Sequence, residues 1–195
     1  MNEIDVIPTP HVLAQQNDFE QEIKLLIPTA GTIELPKEAL ADLFAPINEK
    51  NVEIRPDGLI YMPWVEYQAR LRQVFGVSWC LVPQGMPKVK TEPFKTSYGG
   101  SGNKNTLCWG FYLMILGRLA GFAIGEQVYF DSNQTMGWSD ACEGAKSNAL
   151  TRLCKGLGLF SELWRPSFIR EWKTKNAESY KTVEGKLQWR KKEIK

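Results

Sequence analysis

Residues 138–166, WSDACEGAKSNALTRLCKGLGLFSELWRP, organise the chain around one amphipathic helix. At about 100° per residue, Cys142, Ala149, Leu150, Leu153, Cys154 and Leu157 share one side of it. Ser147, Asn148, Thr151, Arg152 and Lys155 share the other. Asp140 suits the N-cap, Glu143 three residues on completes a capping-box pattern, and Gly156 and Gly158 supply the stop. Lys146 falls inside the apolar stripe, where it either snorkels past its neighbours or faces a groove; we read the groove. A buried-backed helix that offers cations beside small polar groups can grip a phosphate backbone without reading bases. A solvated face is the plainer reading of the wheel, and the rest of the chain decides between them.

Upstream of this helix the period changes. LCWGFYLMILG (107–117) is a nearly continuous apolar run, as a buried central strand requires. RLAGFAIGEQVYFD (118–131) returns from it, with the turn or a bulge between Gly117 and Gly121. SWCLVPQG (78–85) and MPKVKTEPFKTSY (86–98) read as a hairpin, and GGSGNKNT (99–106) as a flexible connection. Earlier still, LPKEALADLFA (35–45) is a short helix with Pro36 in its first turn, and Pro56-Asp57-Gly58 is a turn between extended segments. PWVEYQARLRQVFG (63–76) is a second helix, opened by Pro63 and closed by Gly76, with Val65, Leu71, Val74 and Phe75 as its apolar contacts.

The fold class that follows is α+β: an α-β-β-β-α core with a three- or four-stranded antiparallel meander packed on a helix. Residues 1–34 read as an acidic, largely irregular segment and 35–173 as one folded domain. SFIREWK (167–173) adds a helical turn, and 174–195 reads as a basic, aromatic tail that is disordered when free.

The net charge of +2 hides a gradient, from −7 over residues 1–54 through +3 over 55–164 to +6 over 165–195. A polyanionic partner for the basic rear is the implication. The four cysteines lack C-x-x-C spacing and His11 is the sole histidine, so no structural zinc site is expected. No apolar run approaches the roughly 18 residues of a membrane span. The acidic, arginine-free N-terminus lacks transit-peptide character, so the expected location is the cytoplasm or nucleoid of a bacterium or phage-infected cell, with the mitochondrial matrix left for a processed form.

Familiar catalytic signatures are missing. GGSGNKNT and EGAKSN both depart from the Walker phosphate loop, which disfavours an ATP-driven motor, and one histidine leaves little for acid–base or triad chemistry. We expect no catalytic residues, no cofactor and no metal. Glu126, Asp131, Asp140 and Glu143 could build a magnesium-dependent nuclease site, although such carboxylates more often end strands and cap helices. What remains is basic and aromatic material spread over a compact α/β core.

EIRPDGLIYMP, RLRQVFGVSWCLVPQG, GRLAGFAIGEQVYFD and CEGAKSNALTRLCKGLGLFSELWRPSFIREW, in this order, resemble the mitochondrial genome maintenance recombination proteins, a branch of the Rad-fifty-two-like single-strand annealing superfamily. The resemblance runs from about residue 36 to residue 173. It implies a ring- or filament-forming homo-oligomer that binds single-stranded DNA and pairs complementary strands without ATP, in DNA recombination and repair. An exonuclease or single-strand-binding protein is a further expected partner, which the sequence does not name. Carried over by position, Arg152, Lys155 and Arg55 match basic groove residues, and Lys146 and Asn148 match the mitochondrial branch's K-S-N. Lys88, Lys90, Lys104 and Arg118 are candidate secondary DNA contacts. Thr151 stands where the eukaryotic Rad-type proteins place a second basic residue, so the groove either grips less strongly or depends on Lys146 instead. Three alternatives remain: a double-stranded RNA binding module, which shares the α-β-β-β-α order, the magnesium-dependent nuclease, and a purely structural oligomer.

Overall fold

The structure, a computed structural model, describes residues 21, 24–95, 101–131 and 136–192. Most of the segment 1–34 expected to be irregular therefore lies outside the described residues, and within its described part Ile27–Thr29 form a 3-10 turn. The chain forms two compact units, one of residues 1–34 and 77–149, the other of residues 35–76 and 150–195.

A three-stranded antiparallel sheet dominates the first unit: β3 (Trp79–Lys95), β4 (Ser101–Ile115) and β5 (Arg118–Phe130), in the order β3-β4-β5. The apolar run is the central strand, with Leu107, Phe111, Tyr112, Leu113 and Ile115 all buried. Leu116 and Gly117, with φ of 52° and 72°, make the tight turn that matches the twist of the flanking strands. A bulge follows, since Leu113 pairs with Gly121 but Met114 with Leu119. The turn and the bulge are thus both present.

Two expectations fail here. Residues 78–95 of that expected hairpin do not form one, because β3 is one long strand whose register merely shifts between Gln84 and Lys88. Gly85 and Pro87 punctuate it like a turn, yet β4 pairs with both halves, and the indole N–H of Trp109 donates to the Gly85 carbonyl at 3.0 Å. That bond satisfies a group freed by the bulge. Likewise, residues 101–106 of GGSGNKNT lie in β4, where Lys104 pairs with Glu92 and Phe130.

Helix α3 (Trp138–Gly156) packs on this sheet, and belongs to the first unit through Ala149. Leu107, with Trp109 and Tyr129, lies against Ala141, Cys142 and Ala145. The helix starts earlier than its cap pattern suggests. Asp140 is its third residue and accepts from the Gly137 backbone N–H at 2.8 Å, the reach-back role of a capping box. At the other end, Leu159 N donates to Cys154 O at 3.0 Å and Gly158 N to Lys155 O at 2.9 Å. Gly158, at φ +93°, supplies the left-handed residue this Schellman arrangement needs.

The second unit holds α1 (Lys37–Leu43), α2 (Trp64–Phe75), the short strands β1 (Glu53–Ile54) and β2 (Ile60–Tyr61), and the C-terminal part of α3. Pro36 and Pro63 sit at the N-caps of the two helices. Tyr67, Leu71 and Phe75 are the buried residues of α2, whereas Val65 is exposed. Arg70 donates to the carbonyls of Asp42, Leu43 and Ala45, capping α1 with a cation, and lies 4.9 Å over the Phe160 ring. The Pro56-Asp57-Gly58 turn is closed by Gly58 N to Arg55 O at 2.8 Å, with Asp57 Oδ1 accepting from Leu59 N.

The tail departs most from expectation. Residues 166–176 form α4 (Pro166–Asn176), and β6 (Ala177–Lys181) pairs antiparallel with β7 (Leu187–Lys191). Tertiary contacts order this hairpin: Trp189 N donates to Pro56 O at 3.0 Å, Lys191 pairs with Glu53 at 2.9 Å, and Lys173 lies 5.0 Å over the Trp189 ring. Trp189 also covers Gly58, where a β-carbon would come within 2.9 Å of the indole. The anchor for the tail is a turn more than a hundred residues upstream, so local pattern alone cannot reveal it.

Candidate nucleic-acid interface

The buried arc of α3 moves round the helix along its length. Ala141, Cys142, Ala145 and Ala149 are buried in the first part, and Leu150, Leu153 and Cys154 in the second. Lys146 lies just beyond the first arc and is exposed, so it does not snorkel past buried neighbours. Its ammonium pairs instead with Glu143, one turn back, at 3.3 Å.

Arg152 and Lys155 are both exposed. At about 100° per residue they lie roughly 60° apart, with Asn148 between them and Lys146 on the far flank. The expected five-residue set is therefore divided. Asn148 donates its amide to the Glu126 carbonyl at 3.2 Å, tying α3 to the edge strand β5. Arg55 belongs to the Pro56-Asp57-Gly58 turn, where its guanidinium meets the Asp57 carboxylate at 3.1 Å.

Lys155 has a second neighbour that sequence reading missed. Its Nζ lies 4.4 Å over the ring of Trp164, which ends the 3-10 turn Ser161–Trp164 and is 46% exposed. Partial desolvation there, and then the neighbouring Arg152 cation, hold the Lys155 ammonium below the ordinary lysine range. The segment SELWRP reads as a mere turn because nothing local shows that Lys155 lies across it.

The secondary candidates sit elsewhere. By strand alternation, Lys88, Lys90 and Lys104 project from the sheet face opposite the one that carries α3. Lys90 pairs with Glu92 at 2.9 Å, a hydrogen bond and charge that push the lysine pKa up and the glutamate down. Val82, Phe122 and Ile124 are exposed on that same face, toward the other end of the strands. Arg118 donates to the carbonyl and hydroxyl oxygens of Thr32 at 2.9 and 2.7 Å, binding Thr32 to the β4–β5 turn.

The four carboxylates of the nuclease alternative have separate occupations. Asp131 accepts from Asn103 and Asn105, Asp140 from Gly137, and Glu143 holds Lys146. Glu126 is exposed on β5. Among the described residues no three of histidine, cysteine, aspartate or glutamate gather as metal ligands, so that reading gains no geometric support. No helix among them is long and apolar enough to cross a membrane.

Comparison with known proteins supplies the context for this surface. A family model described as mitochondrial genome maintenance MGM101 matches residues 29–195. The mitochondrial genome maintenance protein mgm101 homolog of Dictyostelium discoideum is 40% identical over 91% of this chain and 45% of its own length. MGM101 of Candida albicans is 39% identical over 85% of this chain and 57% of its own length. The Schizosaccharomyces pombe protein is 36% identical over 91% and 66%. This chain thus spans about half the length of the first two relatives. All three carry mitochondrial names, which gives the expectation of a bacterial or phage protein no support. That expectation rested on the acidic N-terminus, and most of that segment lies outside the family match, which starts at residue 29. The chain belongs to the mitochondrial genome maintenance MGM101 family.

Proposed function

We propose that this protein binds single-stranded DNA and anneals complementary strands without a nucleotide, serving genome maintenance by recombination and repair in the mitochondrial nucleoid. The observation that carries this reading is the pair Arg152 and Lys155, exposed near the end of a helix whose other side is buried. Two cations fixed on a capped helix hold phosphates in register and leave base edges free. Base pairing then supplies the driving energy, so no nucleotide site is needed. Family membership favours DNA over duplex RNA as the polyanion, since the relatives are named for genome maintenance.

Assembly into a ring or filament belongs to the same proposal. It would multiply a weak grip per protomer through effective concentration. Val82, Phe122 and Ile124 are apolar surface that copies of the chain could bury. An exonuclease or single-strand-binding protein would act beside it, delivering or covering the strands to be paired.

The test is annealing of two complementary dye-labelled oligonucleotides in nucleotide-free buffer. Acceleration over the protein-free rate with strands left at full length supports the proposal. Tight binding without acceleration reduces the function to strand protection, and shortened strands would replace it with nuclease activity.

A further inference from the structure

Trp164 ends a hydrogen-bonded turn and keeps about half its surface exposed. Its neighbours Leu159, Phe160 and Leu163 are buried, Leu163 N bonds Phe160 O at 3.1 Å, and Arg165 N bonds Glu162 O at 2.9 Å. Pro166 then starts α4 directly after it. At the end of that turn Trp164 is 46% exposed, with the Lys155 ammonium 4.4 Å over its ring. Arg165 is exposed beside it in sequence, and Arg152 is close enough to Lys155 to depress its pKa.

We infer that Trp164 is a base-stacking platform, with Lys155 holding the phosphate of the stacked nucleotide, and that this pair selects single strands over duplex. The inference deepens the single-strand reading and rests on it. Cations alone grip single and double strands by the same charge, so Arg152 and Lys155 cannot provide that selectivity by themselves. An indole can, because the face of an unpaired base is available and that of a base inside a duplex is not. Stacking uses the base face and leaves the Watson–Crick edge outward, which annealing requires. Once the partner strand pairs and the duplex stacks on itself, the base withdraws from Trp164, and the product is held less firmly than the substrate.

The experiment uses the full chain and three labelled probes of equal length: oligothymidine, an abasic phosphodiester strand and a duplex. Binding is read by anisotropy across a salt series for wild type, W164A, W164F and K155Q. The expected result is that W164A loses about tenfold or more on oligothymidine, little on the abasic strand, and keeps the wild-type salt slope. W164F should retain most of the affinity, while K155Q should weaken all three probes and flatten the slope. Equal losses by W164A on oligothymidine and abasic strands, or no loss on oligothymidine, would overturn the inference. So would a smaller assembly in W164A accompanying its loss of affinity, which would make Trp164 a subunit contact. A wild type that binds no strand at low salt would remove the single-strand reading and this inference together; normal binding with an indifferent W164A would remove the inference alone.

Discussion

Gly125 on β5 lies directly under Ala145 of α3, so close that a β-carbon on the glycine would sit 1.7 Å from the Ala145 carbonyl oxygen. Strand and helix backbones touch there, which explains the run of small residues Ala141, Ala145 and Ala149 along the buried face of the helix. Gly125→Ala forces the helix off the sheet, and overpacking of this kind costs about 3 kcal/mol. Urea denaturation should show the midpoint falling by that free energy divided by the m-value. Gly156→Ala is the control, since a β-carbon there meets nothing within 4 Å, and it should leave the midpoint unchanged or slightly raised.

Arg152→Ala and Lys155→Ala should each weaken single-strand binding and lower the slope of log affinity against log salt by about one. Particle size by light scattering should match the wild type in both. Wild-type affinity in both variants at moderate salt would place the DNA elsewhere.

Arg55 is paired with Asp57, so a phosphate competes with that carboxylate for the guanidinium. Asp57→Asn removes the competing charge and keeps the oxygen that accepts from Leu59 N. Single-strand affinity should rise a few-fold at low salt, measured by anisotropy; unchanged affinity would take Arg55 out of the interface.

Stability should fall in alkali. Burial pushes the Cys154 thiol up to about 12 from an ordinary 9.0, and raises the Tyr67 hydroxyl above its ordinary value as well. For Cys154 the folded pKa exceeds the unfolded one, so its contribution is complete below pH 9 and is lost as pH rises toward 12. The slope is about 1.4 kcal/mol per pH unit per group in that window. Urea midpoints at pH 8 and pH 10.5 should differ accordingly, and the difference should shrink in Cys154→Ala.

Deleting residues 177–195 should destabilise the second unit rather than leave it indifferent. The hairpin covers Gly58 with Trp189 and pairs Lys191 with Glu53. A lower melting temperature for the truncated chain, matched in part by Trp189→Ala, would show this; an unchanged melt would make the hairpin dispensable.

Much of the fold was legible locally. The apolar run 107–117, the Pro63-to-Gly76 helix and the α3 helix each announce themselves by period and by terminal residues, because these features act within a few residues of chain. Pairing partners, by contrast, lie across the fold. Nothing within residues 78–98 says that β4 will pair with both halves and turn an apparent hairpin into one bulged strand. Similarly, the basic and aromatic residues of 177–191 become a hairpin because Pro56 and Glu53 meet them.

The candidate interface divides in the same way. Sequence alone determined the identity of the cations and the helix carrying Arg152 and Lys155, since one element's periodicity suffices for that. Only tertiary structure decided their surroundings. It drew Lys146 to Glu143 on the far flank, committed Asn148 to β5, set Arg55 against Asp57 and laid Lys155 over Trp164. Which face of a helix is buried, and which side chain reaches which neighbour, depend on contacts between elements distant in the chain. Helical period orders side chains around one axis but cannot say what stands opposite them.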